Sequence, residues 1–213
     1  KMLLKENRLD DKVFKPKVIR NAISMAKNQL ITPKEYIEQA TDDFNIQVAK
    51  LYEAYEQRLF KANAMDFDDL LIKPIVLFKS HPDILYKYQH RFKYIMVDEY
   101  QDTNHAQYIL TNMLAASHQN ICVVGDDAQS IYAFRGANIQ NILNLKKNYP
   151  DLEVYKLEQN YRSTQTIVQA ANSVIANNRD QIEKRVFTEN EEGDKILILE
   201  TTTEQDEAKK TAN

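Results

Sequence analysis

Apolar residues recur at helical spacing through the first third of the chain. In "DDFNIQVAKLYEAYEQRLF", Phe44, Val48, Leu51, Tyr55 and Leu59 fall on one face, which predicts an amphipathic helix. Residues 1–64 read as helical, punctuated at Pro16 and Pro33. "TPKEY" predicts a helix start with Thr32 as N-cap and Pro33 at the first helical position. In "NAMDFDDLLIKPIVLF", Asp66 is the expected N-cap, and Asp68 and Asp69 fall in the first turn, where the helix dipole favours carboxylates. Pro74 then lies in the interior, which predicts a kink or a later helix start.

From residue 92 the period changes. "YIMV" (94–97) and "ICVVG" (121–125) are short apolar runs, and Ala106, Ile109, Leu110, Met113 and Leu114 mark one helical face between them. Strand, helix, strand at this spacing predicts a βαβ unit whose parallel strands are buried on both sides. "VYKL" (154–157) and "KILILE" (195–200) read as further strands. Between them, Ile167, Val168, Ala171, Val174 and Ile175 mark a helix behind "NYRST", and the acidic "TENEEGD" (188–194) reads as a solvated loop. The chain starts on Lys1 and stops within what reads as a helix start, "EQDEAKKTAN", so a fragment of a longer protein is expected. The fold class is α/β.

Composition narrows this picture. The chain has 213 residues, of which 43% are hydrophobic and 28% charged, the profile of a globular protein. A net charge of −3 argues against a generally basic nucleic-acid-coating protein but leaves room for a local phosphate-binding groove. The single cysteine, Cys122, lies in an apolar run and is expected to be a small buried hydrophobe. His81, His90, His105 and His118 have no cysteine companions at zinc spacing. No apolar run approaches the roughly 18 residues of a membrane span, and the start lacks a signal-peptide core. A cytoplasmic protein with no membrane partner is therefore the default. The three glycines, Gly125, Gly136 and Gly193, form no G-x-x-x-x-G-K-[ST] phosphate loop, and the sequence contains no Gly-Lys pair.

The chemistry concentrates where acids follow the apolar runs. "YIMV" leads directly into Asp98 and Glu99, with Asp102 close behind, and "ICVV" leads into Gly125-Asp126. In an open parallel sheet, ligands bind outside the carboxyl ends of the strands. Acids at two neighbouring strand ends suggest a divalent-cation site, since Mg²⁺ is held by one or two carboxylates plus substrate phosphates. Glu99 is then placed to orient or deprotonate an attacking water. The alternative is that these acids only cap the next helix.

Two further blocks follow. In "GDDAQSIYAFRGA" (125–137), Gln129 is a neutral hydrogen-bonding group just past a strand end, suited to sensing phosphate or water. Tyr132, Phe134 and Arg135 interleave rings with a cation, a combination that suits single-stranded nucleic acid; the competing reading makes both rings core residues. In "LEQNYRST" (157–164), Arg162 lies between a strand end and a helix, where it could reach a phosphate or form only a surface ion pair.

Together these blocks resemble the superfamily-one DNA helicases of the UvrD, Rep and PcrA group. "VDEYQDTN" resembles the family's motif II, "VVGDDAQSIYAFRGA" its motif III and "LEQNYRST" its motif IV. "ISMAKNQL" (23–30) and "MDFDDLL" (65–71) lean towards the UvrD/PcrA branch. The resemblance runs over nearly the whole chain, in the family's order.

The resemblance implies a RecA-like motor that uses ATP and Mg²⁺ and translocates 3′ to 5′ on single-stranded DNA, acting at single-strand/duplex junctions in bacterial repair or replication. It implies the partial P-loop NTPase fold with parallel strands, plus an all-helical insertion subdomain. Residues 1–64 would be that insertion, 65–150 the second half of the first RecA-like domain and 151–213 the start of the second. Asp98 would hold Mg²⁺, Glu99 would be the catalytic base, and Gln129 would couple the γ-phosphate to DNA. Tyr132 and Phe134 would stack on bases with Arg135 in support, Tyr161 would lie against adenine, and Arg162 would contact the γ-phosphate. Gln101, Asp102 and Asp126 would couple motifs II and III. Two departures stand out: Phe134 replaces the Trp of several members, and the P-loop is absent from this sequence. The chain alone is therefore expected not to turn over ATP. Two alternatives are a non-catalytic nucleic-acid-binding module that keeps the fold, and a Mg²⁺-dependent nuclease built on Asp98, Glu99 and Asp126.

Overall fold

The computed structural model describes residues 1–179 and 181–212; the side chain of Arg135 lies outside the description. The chain divides into two compact units, Lys1–Leu152 and Glu153–Asn213.

The first unit opens with helices α1 (Met2–Glu6), α2 (Pro16–Asn28), α3 (Pro33–Gln39) and α4 (Asp43–Lys61). Pro16 and Pro33 start helices because a first-turn N–H has no intrahelical partner, so proline loses no hydrogen bond there. Thr32 caps α3 in a reciprocal box with Glu35, and Asp42 caps α4 through the Asn45 N–H. The predicted stripe of α4 faces inward: Val48 and Leu51 are buried and pack with Leu4, Ile19, Ile23 and Tyr52, while Phe44 and Tyr55 line the edge of that core.

Helix α5 (Asp69–Ser80) begins later than Asp66 as N-cap would place it. Asp66 still caps it at a distance, because Asp66 Oδ1 accepts from the Asp69 N–H and Asp69 Oδ2 accepts from the Asp66 N–H. Pro74 sits inside the helix, at the cost of one backbone hydrogen bond. Helix α6 (Pro82–Arg91) follows and was not signalled by apolar periodicity.

Strand β1 (Ile95–Val97), helix α7 (His105–Ala115) and strand β2 (Ile121–Val123) form the expected parallel unit, with Ile95 opposite Ile121 and Val97 opposite Val123. Val97, Ile121 and Val123 turn towards a second core of Tyr100, Leu145 and Tyr149, with Leu145 on the short helix α9 (Leu145–Asn148), which follows α8 (Gln140–Leu143). The expectation of burial on both sides fails. Side chains alternate faces along a strand, and Met96 (78% exposed) and Cys122 occupy the opposite, open face. Cys122 is therefore exposed rather than a buried hydrophobe.

The second unit holds α10 (Gln165–Ile175) and α11 (Glu204–Ala212). Among the described residues, "VYKL" and "KILILE" are not strands; the only ladder contact here is a bridge between Gln159 and Phe187. A strand exists through its hydrogen-bonded neighbour, and these segments have none: Leu157 is 85% exposed and Ile198 89%. The apolar stripe of α10 is likewise largely open, with Val168 buried but Ile167 and Val174 exposed. The acidic loop keeps its side chains in solvent and uses its backbone. The Glu191 and Glu192 carbonyls accept from the Gln165 and Thr166 N–H groups at the start of α10. Gly193 permits this approach: it lies at φ +77°, and a Cβ there would meet Thr164 at 2.5 Å.

Candidate nucleotide and nucleic-acid site

The ends of β1 and β2 carry the acids. After Val97 the chain turns sharply: Asp98 Oδ1 accepts from the Glu99 N–H at 2.9 Å, and Glu99 adopts a left-handed backbone at φ 49°, ψ 43°. That conformation costs a non-glycine residue about 1–2 kcal/mol. It is held from the next residue, Tyr100, whose ring is fully buried and whose N–H donates to the Val124 carbonyl at 2.9 Å. The result is that Asp98 and Glu99 stand exposed at the rim while their neighbour anchors the core. Neither acid caps α7. Asn104 does so, in a reciprocal box with Gln107, so the capping alternative fails for Asp98 and Glu99; it holds for Asp126, which caps the short turn Asp127–Gln129 through the Ala128 N–H.

The two blocks are bonded together side by side. Gln101, 1% exposed, donates to Glu99 Oε2 and accepts from the Asp126 N–H. The Ser130 hydroxyl donates to the Gln101 carbonyl. Asn141 donates to both the Thr103 carbonyl and its hydroxyl oxygen, and Asn104 pairs with Ala137 in an isolated bridge. Asp126 accepts from the Ala128 N–H and from Gln129 Nε2. Gln129 is thus anchored through its nitrogen.

Tyr132 and Phe134 are not core residues. Their rings lie 5.9 Å apart at 39°, with Phe134 72% exposed. Tyr132 borders an open cleft of about 310 Å³ with Asp102, Asn104 and Gln107, and among the described residues the buried Asp102 Oδ1 atom has no hydrogen-bond partner. Arg135 belongs to the short turn Ala133–Arg135, closed by Gly136 at φ 87°; its side chain lies outside the described residues.

In the second unit, Asn160 Oδ1 accepts from the Arg162 and Ser163 N–H groups, which presents Arg162 on a tight turn before α10. Tyr161 is 79% exposed, its hydroxyl bonded to Gln159. Among the described residues Arg162 forms no ion pair, against the surface salt-bridge alternative.

A second group of acids escaped sequence reasoning. Lys27, 1% exposed, lies 2.7 Å from Glu56, 2.8 Å from Asp66 and 3.0 Å from Asp69. Burial disfavours its charge, but the hydrogen bonds it donates to Asp66, Glu56 and Asp69 outweigh that and hold its pKa above the ordinary lysine value. Burial opposes the Asp66 charge too, and the Lys27 hydrogen bond still leaves Asp66 below the ordinary carboxylate value. Glu56, Asp66 and Asp69 converge closely enough to ligate a metal, but the ammonium fills that place. Next to it, Asn28 donates to Asp68 and accepts from the Asn104 amide, tying α2 to the start of α7.

The 94–104 and 125–137 blocks are thus one bonded unit at adjacent strand ends. Residues 1–150 match the family described as UvrD/REP helicase N-terminal domain, and residues 155–213 match the UvrD-like helicase C-terminal domain. The chain belongs to the UvrD/REP helicase family. Proteins similar to it include the ATP-dependent DNA helicase PcrA of Staphylococcus aureus, 50% identical over 208 residues. The PcrA proteins of Leuconostoc citreum and Staphylococcus epidermidis are 47% and 48% identical over the same length. In each case the match covers 98% of this chain and 28% of the relative, so the chain spans under a third of the length of these relatives. Among the described residues, no helix of this UvrD/REP family member is long and apolar enough to cross a membrane.

Proposed function

We propose that this chain is the part of an ATP-dependent 3′–5′ DNA helicase that joins Mg²⁺-ATP hydrolysis to movement on single-stranded DNA, at single-strand/duplex junctions in bacterial cytoplasmic repair or replication. The observation that carries this reading is the bonding of an acidic strand end (Asp98, Glu99) to an aromatic loop (Tyr132, Phe134) through Gln101 and Asn104. Chemistry at one edge is thereby mechanically continuous with nucleic-acid contact at the other.

In this reading residues 1–64 are the helical insertion, 65–150 the second half of a first RecA-like domain and 151–213 the opening of a second. The donor set fits Mg²⁺ with nucleotide: one exposed carboxylate, Asp98, leaves the remaining positions to water and phosphate oxygens. Bound Mg²⁺ supplies charge neutralisation at those oxygens. Glu99 accepts the proton of the attacking water, Gln129 senses the γ-phosphate, Arg162 stabilises charge on it and Tyr161 supports the adenine. Tyr132 and Phe134 stack on bases beside Arg135. The carboxylate of Asp126 is engaged by Ala128 and Gln129, which weighs against the nuclease alternative.

The test is ATP hydrolysis by the longest natural polypeptide containing this sequence, with and without single-stranded DNA, beside its Glu99→Gln variant. DNA-stimulated turnover lost in the variant supports the reading; turnover that survives the substitution, or that ignores DNA, overturns it.

A further inference from the structure

Gln101 links two blocks in the reading above but touches no reacting atom there, and it is among the most deeply buried side chains of the described residues. Its amide nitrogen lies 2.7 Å from Glu99 Oε2, its amide oxygen 3.0 Å from the Asp126 nitrogen, and its carbonyl 3.3 Å from the Ser130 hydroxyl. A carboxamide carries a donor at one end and an acceptor at the other. That pair matches a carboxylate on one side and a backbone N–H on the other, and no other side chain of this length offers both. Glutamate would set a second negative charge against Glu99; methionine would make neither bond.

Gly125 supplies an independent observation. A Cβ there would fall 2.5 Å from Gln101 Oε1. The glycine's backbone needs no left-handed freedom; what it provides is room for this amide. Glu99 supplies another. It is exposed and sits on a left-handed turn, and among the described residues its carboxylate has no ion pair. The bond from Gln101 is what aims it.

We propose that Gln101 is a positioning residue: it aims the Glu99 carboxylate and fixes that aim to Asp126, the first acid of the block that carries Gln129, Tyr132 and Phe134. A displacement of that block then turns Glu99. This proposal rests on the reading of Glu99 as the water-activating group.

The experiment compares Gln101→Met, Gln101→Glu, Gly125→Ala and Glu99→Gln in the longest natural polypeptide containing this sequence. Misplacement by about 1 Å costs a reaction on the order of a hundredfold, so Gln101→Met is expected to lower kcat of DNA-stimulated ATP hydrolysis by about 10- to 100-fold. The KM for ATP should stay within about twofold of its original value, because aim rather than binding is lost. A second readout needs no turnover: in nucleotide-free protein, deuterium exchange of the Asp126 amide should accelerate in Gln101→Met. Gln101→Glu keeps the acceptor and loses the donor, so it should lose kcat yet retain Asp126 protection. Gly125→Ala presses hardest on the amide, at 2.5 Å against 3.1 Å for Ile142 and 3.2 Å for the Tyr100 nitrogen, and carries the test if Gln101→Met melts. Turnover lost in Glu99→Gln but kept in Gln101→Met, or unchanged Asp126 exchange, overturns this proposal alone. Turnover kept in Glu99→Gln overturns the reading of Glu99 beneath it.

Discussion

Two groups of acids in the first unit are handled in opposite ways. Glu56, Asp66 and Asp69 surround a buried ammonium, and Lys73 approaches Glu56 at 3.5 Å from outside. Asp98 and Glu99 stand in solvent, with no cation among the described residues to neutralise them. The first group is complete as it folds, and its charges hold α2, α4 and α5 together. The second is left with unspent charge, on a backbone turn that is unfavourable in itself. The first group brings its counter-ion with it; the second leaves room for one.

That contrast can be broken in order of size. Glu99→Gln should cost DNA-stimulated turnover about 10²- to 10⁴-fold, the usual worth of a positioned proton acceptor. Nucleotide binding, followed by fluorescent ATP titration, and the melting temperature should hardly move. Lys27→Met should do the reverse. It strands three carboxylates at a buried site, a loss of about 3–5 kcal/mol, visible as a lower urea midpoint. Phe134→Ala should weaken binding to a fluorescent oligothymidylate by about 1–3 kcal/mol, the value of one stacked base, and leave the urea midpoint unchanged.

The smallest effect is in pH. Asp66 is held below its ordinary 3.8 in the folded state. Its contribution to stability is therefore full above that value and fades as the pH falls through the depressed folded pKa. Lys27 is raised, so its contribution is full below the ordinary 10.5 and fades only in stronger base. The urea midpoint of the native chain should fall more steeply below pH 4 than that of Asp66→Asn. Parallel curves would remove Asp66 from the cluster's energetics.

The local signals in the sequence were the dependable ones. Thr32 and Pro33 mark a helix start, and the apolar run Ile95–Val97 marks a strand, although not the open face on which Met96 lies. What could not be read was long-range. Lys27 looks like any helical lysine in "MAKNQL", because its partners lie 29 to 42 residues away. "KILILE" has the composition of a strand, but composition does not supply a neighbour. Within the candidate site, Asp98 and Glu99 were legible from their place after an apolar run. Gln101 was legible only as a residue type, since its importance comes from being enclosed between Glu99 and Asp126. Asn104 did carry a usable signal, the N-x-x-Q spacing of a capping box.

The left-handed turn at Glu99 also sets rules for what sequence variation the position can bear. Its backbone favours glycine, asparagine or aspartate, and none of these reaches as far as glutamate. Branched residues would clash with their own carbonyl whatever their polarity. Replacements chosen for shape will therefore tend to fold well and lack the carboxylate's reach, so a library selected for stability alone would drift away from Glu99 by its most accessible steps.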